Sequence, residues 1–130
     1  MKLEFTARQG DVSLFRIVDD DMPAIGEPVP RENGRVVLAE GENTGHAHCI
    51  ESEHAALFEL PPQTRAALAR PEARRLAEQE AAVMRYLTIL GQDAAALVHE
   101  EHGRAIVPPG RYLVVRQTEY SPADLRTVQD

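Results

Sequence analysis

Short alternating runs cut by tight-turn residues set the strongest limit on this fold. In Arg111–Tyr120 (RYLVVRQTEY), Tyr112, Val114, Arg116 and Thr118 alternate with Leu113, Val115, Gln117 and Glu119. A period of two puts the sets on opposite faces of a strand. Asp11–Val18 (DVSLFRIV) repeats the pattern, with Val12, Leu14 and Arg16 on one face and Phe15 and Ile17 on the other. Arg35–Glu40, His46–Glu51, Ala55–Leu60 and Met84–Leu90 add four further strand-like runs. Turn signals stand between them: three prolines and two glycines over 19–34, ending in the hairpin pair Asn33-Gly34; then Gly41 and Gly45; then Pro108-Pro109-Gly110. The expected fold is mainly β, a small β-barrel or jelly roll. At 130 residues it is read as a single domain, 1–130.

One stretch breaks the pattern. Residues 61–83 (PPQTRAALARPEARRLAEQEAAV) are dense in Ala, Arg, Glu and Leu, strong helix formers. This predicts a helical insertion around 63–83. Pro71 suits the first turn of a second helix. Leu76, Val83 and Leu87, with Ala73 and Ala77, supply a modest apolar stripe. The insertion reads as a surface element packed on the β fold; the alternative is a lid or a partner-binding helix. Residues 91–103 carry a second ambiguity. Asp93 and Gly103 could cap a short helix, but Leu97-Val98 and Ala105–Val107 around a turn-like EEHG favour a hairpin. The tail after Tyr120 is polar and reads as frayed or as one short turn.

Charge and composition narrow the function classes. With 14 Lys+Arg against 21 Asp+Glu the formal net charge is −7, the wrong sign for a nucleic-acid-binding face. Aromatic residues are sparse and Trp is absent, which argues against a stacking platform for single strands. No apolar run approaches a membrane span, and MKLEFTARQGDV has no hydrophobic signal core, so a cytoplasmic protein is expected. Cys49 is the single cysteine, which excludes an internal disulfide and a thiolate zinc site and points to a buried small apolar residue facing the core.

Four of the five histidines fall into two pairs. His46 and His48 share a strand face at i and i+2. His99 and His102, in His99-Glu100-Glu101-His102, can converge on a turn or on one face of a helix. Neutral imidazole is the commonest metal ligand. The two pairs predict a divalent transition-metal centre held by His46, His48, His99 and His102: Zn foremost, or Fe, Mn or Ni. Glu100 or Glu101 would complete the shell, with Glu101 the candidate base. The competing reading makes HAH a half-exposed strand and HEEH a polar turn. His54 stands alone and is expected at the surface. HEEH lacks the i, i+4 spacing of the zincins; Lys2 is the only lysine, so no phosphate-loop lysine exists; no serine sits in a nucleophile elbow; and Ile50 breaks the histidine-triad pattern.

Two segments resemble the cupin motifs. Gly41–Glu51 (GENTGHAHCIE) is similar to the first, a glycine followed by HxH and a glutamate, and Gly103–Gly110 (GRAIVPPG) is similar to the start of the second. The resemblance covers about 20 residues. It implies a small double-stranded β-helix barrel with a divalent metal held by His46, His48 and Glu51. Leu113 occupies the place of the second motif's histidine, and each glycine gap is one residue short. A cupin-like site would therefore take its further ligand from His99 or His102. The GHAH, HEEH, PPGRY and QTEY elements also resemble those of an uncharacterised bacterial family, which implies no activity.

Other polar residues admit two readings each. Gln117 and Glu119 share a face that could line a pocket mouth or a solvent edge. Arg111 and Arg116 could meet an anionic substrate or form surface ion pairs. Tyr112 reads as a packing residue, and Asp19–Asp21 as a solvated turn. Two functions follow: a metal-binding domain, with any hydrolytic, isomerase or oxygenase-type reaction on a small molecule left open, or a non-enzymatic protein whose insertion binds a protein partner. A homo-oligomer is compatible with either.

Overall fold

The computed structural model describes residues 1–41, 45–75, 80–120 and 125–127, with side chains of 69–82 and those beyond 117 outside the description. Ten strands and one helix follow in the order β1 (Leu3–Gln9), β2 (Val12–Ile17), β3 (Val36–Glu40), β4 (Ala47–Ile50), β5 (Ala55–Glu59), α1 (Pro62–Arg75), β6 (Glu80–Ile89), β7 (Ala95–Val98), β8 (Ala105–Val107), β9 (Gly110–Tyr120) and β10 (Leu125–Thr127). All ladders are antiparallel. One sheet runs β1-β2-β9-β6-β5, with β10 on β9; the other runs β3-β4-β7-β8. The mainly β expectation holds. The barrel does not: among the described residues the ladders form two open sheets. Five pairs of consecutive strands, β1-β2, β3-β4, β5-β6, β7-β8 and β9-β10, form hairpins, while the connections between them cross from one sheet to the other; the Asn33 (φ 52°)–Gly34 (φ 77°) turn closes a small bridge between Glu32 and Arg35 in the β2–β3 crossing.

The alternation read from sequence sorts the core. Val12 and Leu14 of β2 and Tyr112 and Val114 of β9 join Leu87, Leu38, Ile50 and Leu97 in a buried cluster drawn from both sheets. Phe15, Ile17, Leu113 and Val115 face the other way, where Leu60, Tyr86 and Leu68 of α1 meet them. The helix therefore covers the outer face of the larger sheet. It is one helix running through Pro71, not two, although proline there removes the hydrogen bond to the Ala67 carbonyl. The expected insertion also ends sooner. Residues 80–83 already belong to β6, and Val83 and Leu87 pack in different clusters, so they form no helical stripe. Leu76 and Ala77 lie outside the described residues.

Residues 91–103 are not a helix: β7 and β8 pair as a hairpin, Ala95 opposite Val107. The tail contributes β10, which pairs Leu125 with Tyr120 where a frayed end was expected. Among the described residues no helix is long and apolar enough to cross a membrane.

Cys49 is fully buried, as expected, but on the face opposite to the one foreseen. His48 shares its face with Ile50 of the inter-sheet core, so Cys49 points away from that core. Burial pushes its thiol up from the usual value. Iodoacetamide is expected to leave Cys49 unmodified in the native protein and to alkylate it fully after denaturation, read by intact mass. Equal rates in both states would contradict its burial.

A candidate four-histidine site between the sheets

The β4–β7 register brings the two histidine pairs together. Cys49 lies opposite Val98 and Ile50 opposite Leu97. The ladder ends there, and His48 and His99 are the next residues beyond it on each chain segment. The side chains follow. The His48 and His99 ring centroids are 4.4 Å apart, His46 and His99 5.7 Å, His99 and His102 4.7 Å, and His48 and His102 6.2 Å. His48 is fully buried and His99 nearly so. The site continues the inner apolar faces of β4 and β7, where Ile50 and Leu97 give way to imidazoles.

Two carboxylates stand beside the rings. Glu101 Oε1 lies 3.6 Å from His46 Nδ1, at the more open side. Asp11 Oδ1 lies 3.5 Å from His48 Nε2, with both side chains fully buried. Asp11 sits at the β1–β2 turn beside Gly10 (φ 58°), and its Oδ2 accepts from Arg116 Nε at 2.6 Å. Burial pushes the Asp11 carboxyl up, but the His48 ring and the Arg116 guanidinium outweigh that and hold it below its usual value. Glu100 turns outward and accepts from Ala47 N–H at 2.7 Å, pinning the strand between His46 and His48 to the HEEH turn; that bond holds its carboxyl low.

The hydrogen bonds fix two ring tautomers. Gln9 Nε2 donates to the carbonyls of Leu97 (3.1 Å) and Gly103 (2.9 Å), which orients the amide. Gln9 Oε1 must then accept from His48 Nδ1, 2.9 Å away, so His48 carries a proton on Nδ1. A neutral His48 thus keeps its lone pair on Nε2, the usual arrangement when a carbonyl orients a metal-binding imidazole. His99 differs: its Nδ1 accepts from Glu101 N–H at 3.0 Å, so the neutral ring has its proton on Nε2. Ligation by His99 Nε2 requires that contact to be given up. His46 Nδ1, His102 Nε2 and Asp11 Oδ1 are buried and make no hydrogen bond among the described residues.

Among the described residues, no three His, Cys, Asp or Glu side chains already stand in metal-holding geometry. The rings lie close together without their donor atoms converging on one point. Around a tetrahedral ion with bonds of about 2.1 Å, neighbouring donors are about 3.4 Å apart and imidazole centroids about 5 Å. The two nitrogen–oxygen separations and the four centroid distances cluster near these values.

The structure thus gathers all four sequence-designated histidines, with Glu101 beside them. It leaves others out. Glu51 is exposed at the far end of β4, beside Arg31 and Arg35. Leu113 is buried in the outer cluster. His54 is exposed next to Glu53. Arg111 is committed to the carbonyls of Asp19 and Asp21, while Asp19 and Asp21 pair with the terminal amine. Gln117 is buried and its backbone N–H donates to the Asp11 carbonyl. The side chain of Glu119 lies outside the described residues. Sequence reading missed Gln9 and Asp11. Their signal was slight: two polar residues flanking a turn glycine.

Residues 8–117 match the family described as a domain of unknown function (DUF8820), and the chain belongs to that family. No curated protein matches it, and no solved structure does.

Proposed function

We propose that this member of the DUF8820 family is a metal-binding protein, holding one divalent transition ion between its two sheets with His46, His48, His99 and His102. One observation carries the reading: four imidazoles from segments fifty-one positions apart meet with centroids 4.4–6.2 Å apart, on a face that is otherwise apolar. Burying His48 and His99 at the end of a core, with His46 and His102 half-buried beside them, has a desolvation cost, and coordination offsets it. The nitrogen-rich set suits Zn, Fe or Ni, and nearby carboxylates admit Mn. Bound there, the ion would act as a Lewis acid on a small molecule, and Glu101 is the candidate base at the open side. The cupin resemblance supports the reading at His46 and His48 only, since neither Glu51 nor Leu113 reaches the cluster.

The test is metal uptake by tag-free protein. After chelation and dialysis, titration with Zn(II) should restore about one equivalent per chain, with a matching rise in melting temperature. His46→Ala and His102→Ala should each weaken binding at least tenfold, about 1.4 kcal/mol. Uptake below about a tenth of an equivalent for every transition ion tried would sink the reading. Full-affinity binding in both variants would move the ion elsewhere.

A further inference from the structure

We infer that Asp11 is itself a metal ligand, making the site a mixed imidazole–carboxylate centre. The inference rests on the metal-binding reading and adds a residue that no motif in the chain designates. Asp11 belongs to the β1–β2 turn, remote in sequence from both histidine pairs.

Asp11 and His48 form a buried ion pair that is longer than a close hydrogen bond. A hydrogen-bonded imidazole and carboxylate sit about 2.7–2.9 Å apart. Asp11 Oδ1 and His48 Nε2 are 3.5 Å apart, close to the spacing of two donors sharing one ion. The two oxygens of Asp11 also have unequal surroundings. Oδ2 is held by Arg116 Nε at 2.6 Å, whereas Oδ1 is buried, makes no hydrogen bond and is aimed into the cluster. A buried carboxylate oxygen left in that state is costly, and a cation removes the cost. Arg116 is fixed in turn by the Glu40 carbonyl at 2.9 Å, so Asp11 is aimed by a chain of contacts reaching β3. Ligating carboxylates are commonly oriented through the oxygen that does not bind the ion.

The ligand chemistry supports the same assignment. His99 must surrender its contact with the Glu101 amide before Nε2 can ligate. Asp11 has no such bond to break at Oδ1. An anionic oxygen also lowers the net charge of the loaded site and favours harder ions such as Mn(II) and Fe(II) over an all-imidazole set.

Co(II) is the probe. Bound to the wild-type chain it should give a visible spectrum without a thiolate charge-transfer band. Asp11→Cys should add that band in the near ultraviolet, because the new sulfur would sit on the ion. Asp11→Asn should raise the Co(II) dissociation constant at least tenfold, with the far-ultraviolet circular dichroism unchanged. The variant that retains the wild-type fold carries the test. A wild-type spectrum in Asp11→Cys, or wild-type affinity in Asp11→Asn, overturns the assignment while leaving the histidine site standing. Failure of the wild-type chain itself to bind Co(II) or any other transition ion removes both.

Discussion

Leu87→Ala is expected to lower the unfolding free energy by about 3 kcal/mol and the melting temperature by about 10 °C. Leu87 stands in the last third of β6, which pairs with β5 on one side and β9 on the other. Its cross-strand neighbours are Leu57 and Tyr112, and all three are essentially inaccessible to solvent. Truncation to alanine removes three carbons from a position hemmed in on both flanks and faced by the second sheet. The walls cannot collapse, because each belongs to a ladder of its own. Loss of transfer free energy and loss of contact across the void therefore add. Ile106→Ala is the control. It is equally apolar but 62% exposed on β8, and its replacement should cost no more than about 0.5 kcal/mol. Urea unfolding of both proteins, with unchanged slopes, reads the difference. A cost below about 1 kcal/mol for Leu87→Ala would place the packing elsewhere than between the sheets.

The residues that alternate in the sequence are the ones that sort cleanly in the structure. Val12, Leu14, Phe15 and Ile17 fall on the faces their parity assigns, since a pleated strand leaves no other choice. Parity does not say which face is the inner one. For β4 both faces are buried, so alternation alone does not decide that the inner face belongs to His48 and Ile50 and not to Cys49. Pro71 misled for a related reason: its preference for a helix start is local, and the helix it interrupts is supported by the sheet beneath. Turn signals reveal hairpins but not whether the outer strands meet, so they do not separate a closed barrel from two open sheets.

The candidate site divides the same way. Each histidine pair is legible in its own few residues. Their meeting depends on the β4–β7 register, which is set by how Ile50 and Leu97 pack, a tertiary fact. Gln9 and Asp11 were invisible because a glutamine and an aspartate around a turn glycine are also what any solvated hairpin carries. Only the backbone path, which tucks this turn against the end of the second sheet, makes them interior.

Gln9→Met should damage both the fold and the site, and its consequences separate the two roles of the amide. Methionine matches the length and shape of glutamine but offers no strong hydrogen bonds. The Leu97 carbonyl loses its donor and His48 Nδ1–H its acceptor in a buried setting, and the Gly103 carbonyl loses its donor in a half-buried one. Stability should fall by about 3 kcal/mol, since each stranded group costs about 1 kcal/mol or more. His48, no longer held as the Nδ1–H tautomer, should also populate the Nε2–H form, visible in the imidazole nitrogen shifts of the metal-free protein. Metal affinity should fall about ten- to hundredfold, the usual consequence of removing the partner that orients a ligating ring. Gln9→Glu provides the contrast. A carboxylate still accepts from His48 Nδ1–H, so the tautomer persists, but it has no donor for the two carbonyls and adds charge against them, so stability falls at least as far. If Gln9→Met leaves His48 wholly in the Nδ1–H form, the amide braces the HEEH hairpin against β1 without setting the chemistry of His48, and any loss of metal affinity must come from displacement of His99 and His102.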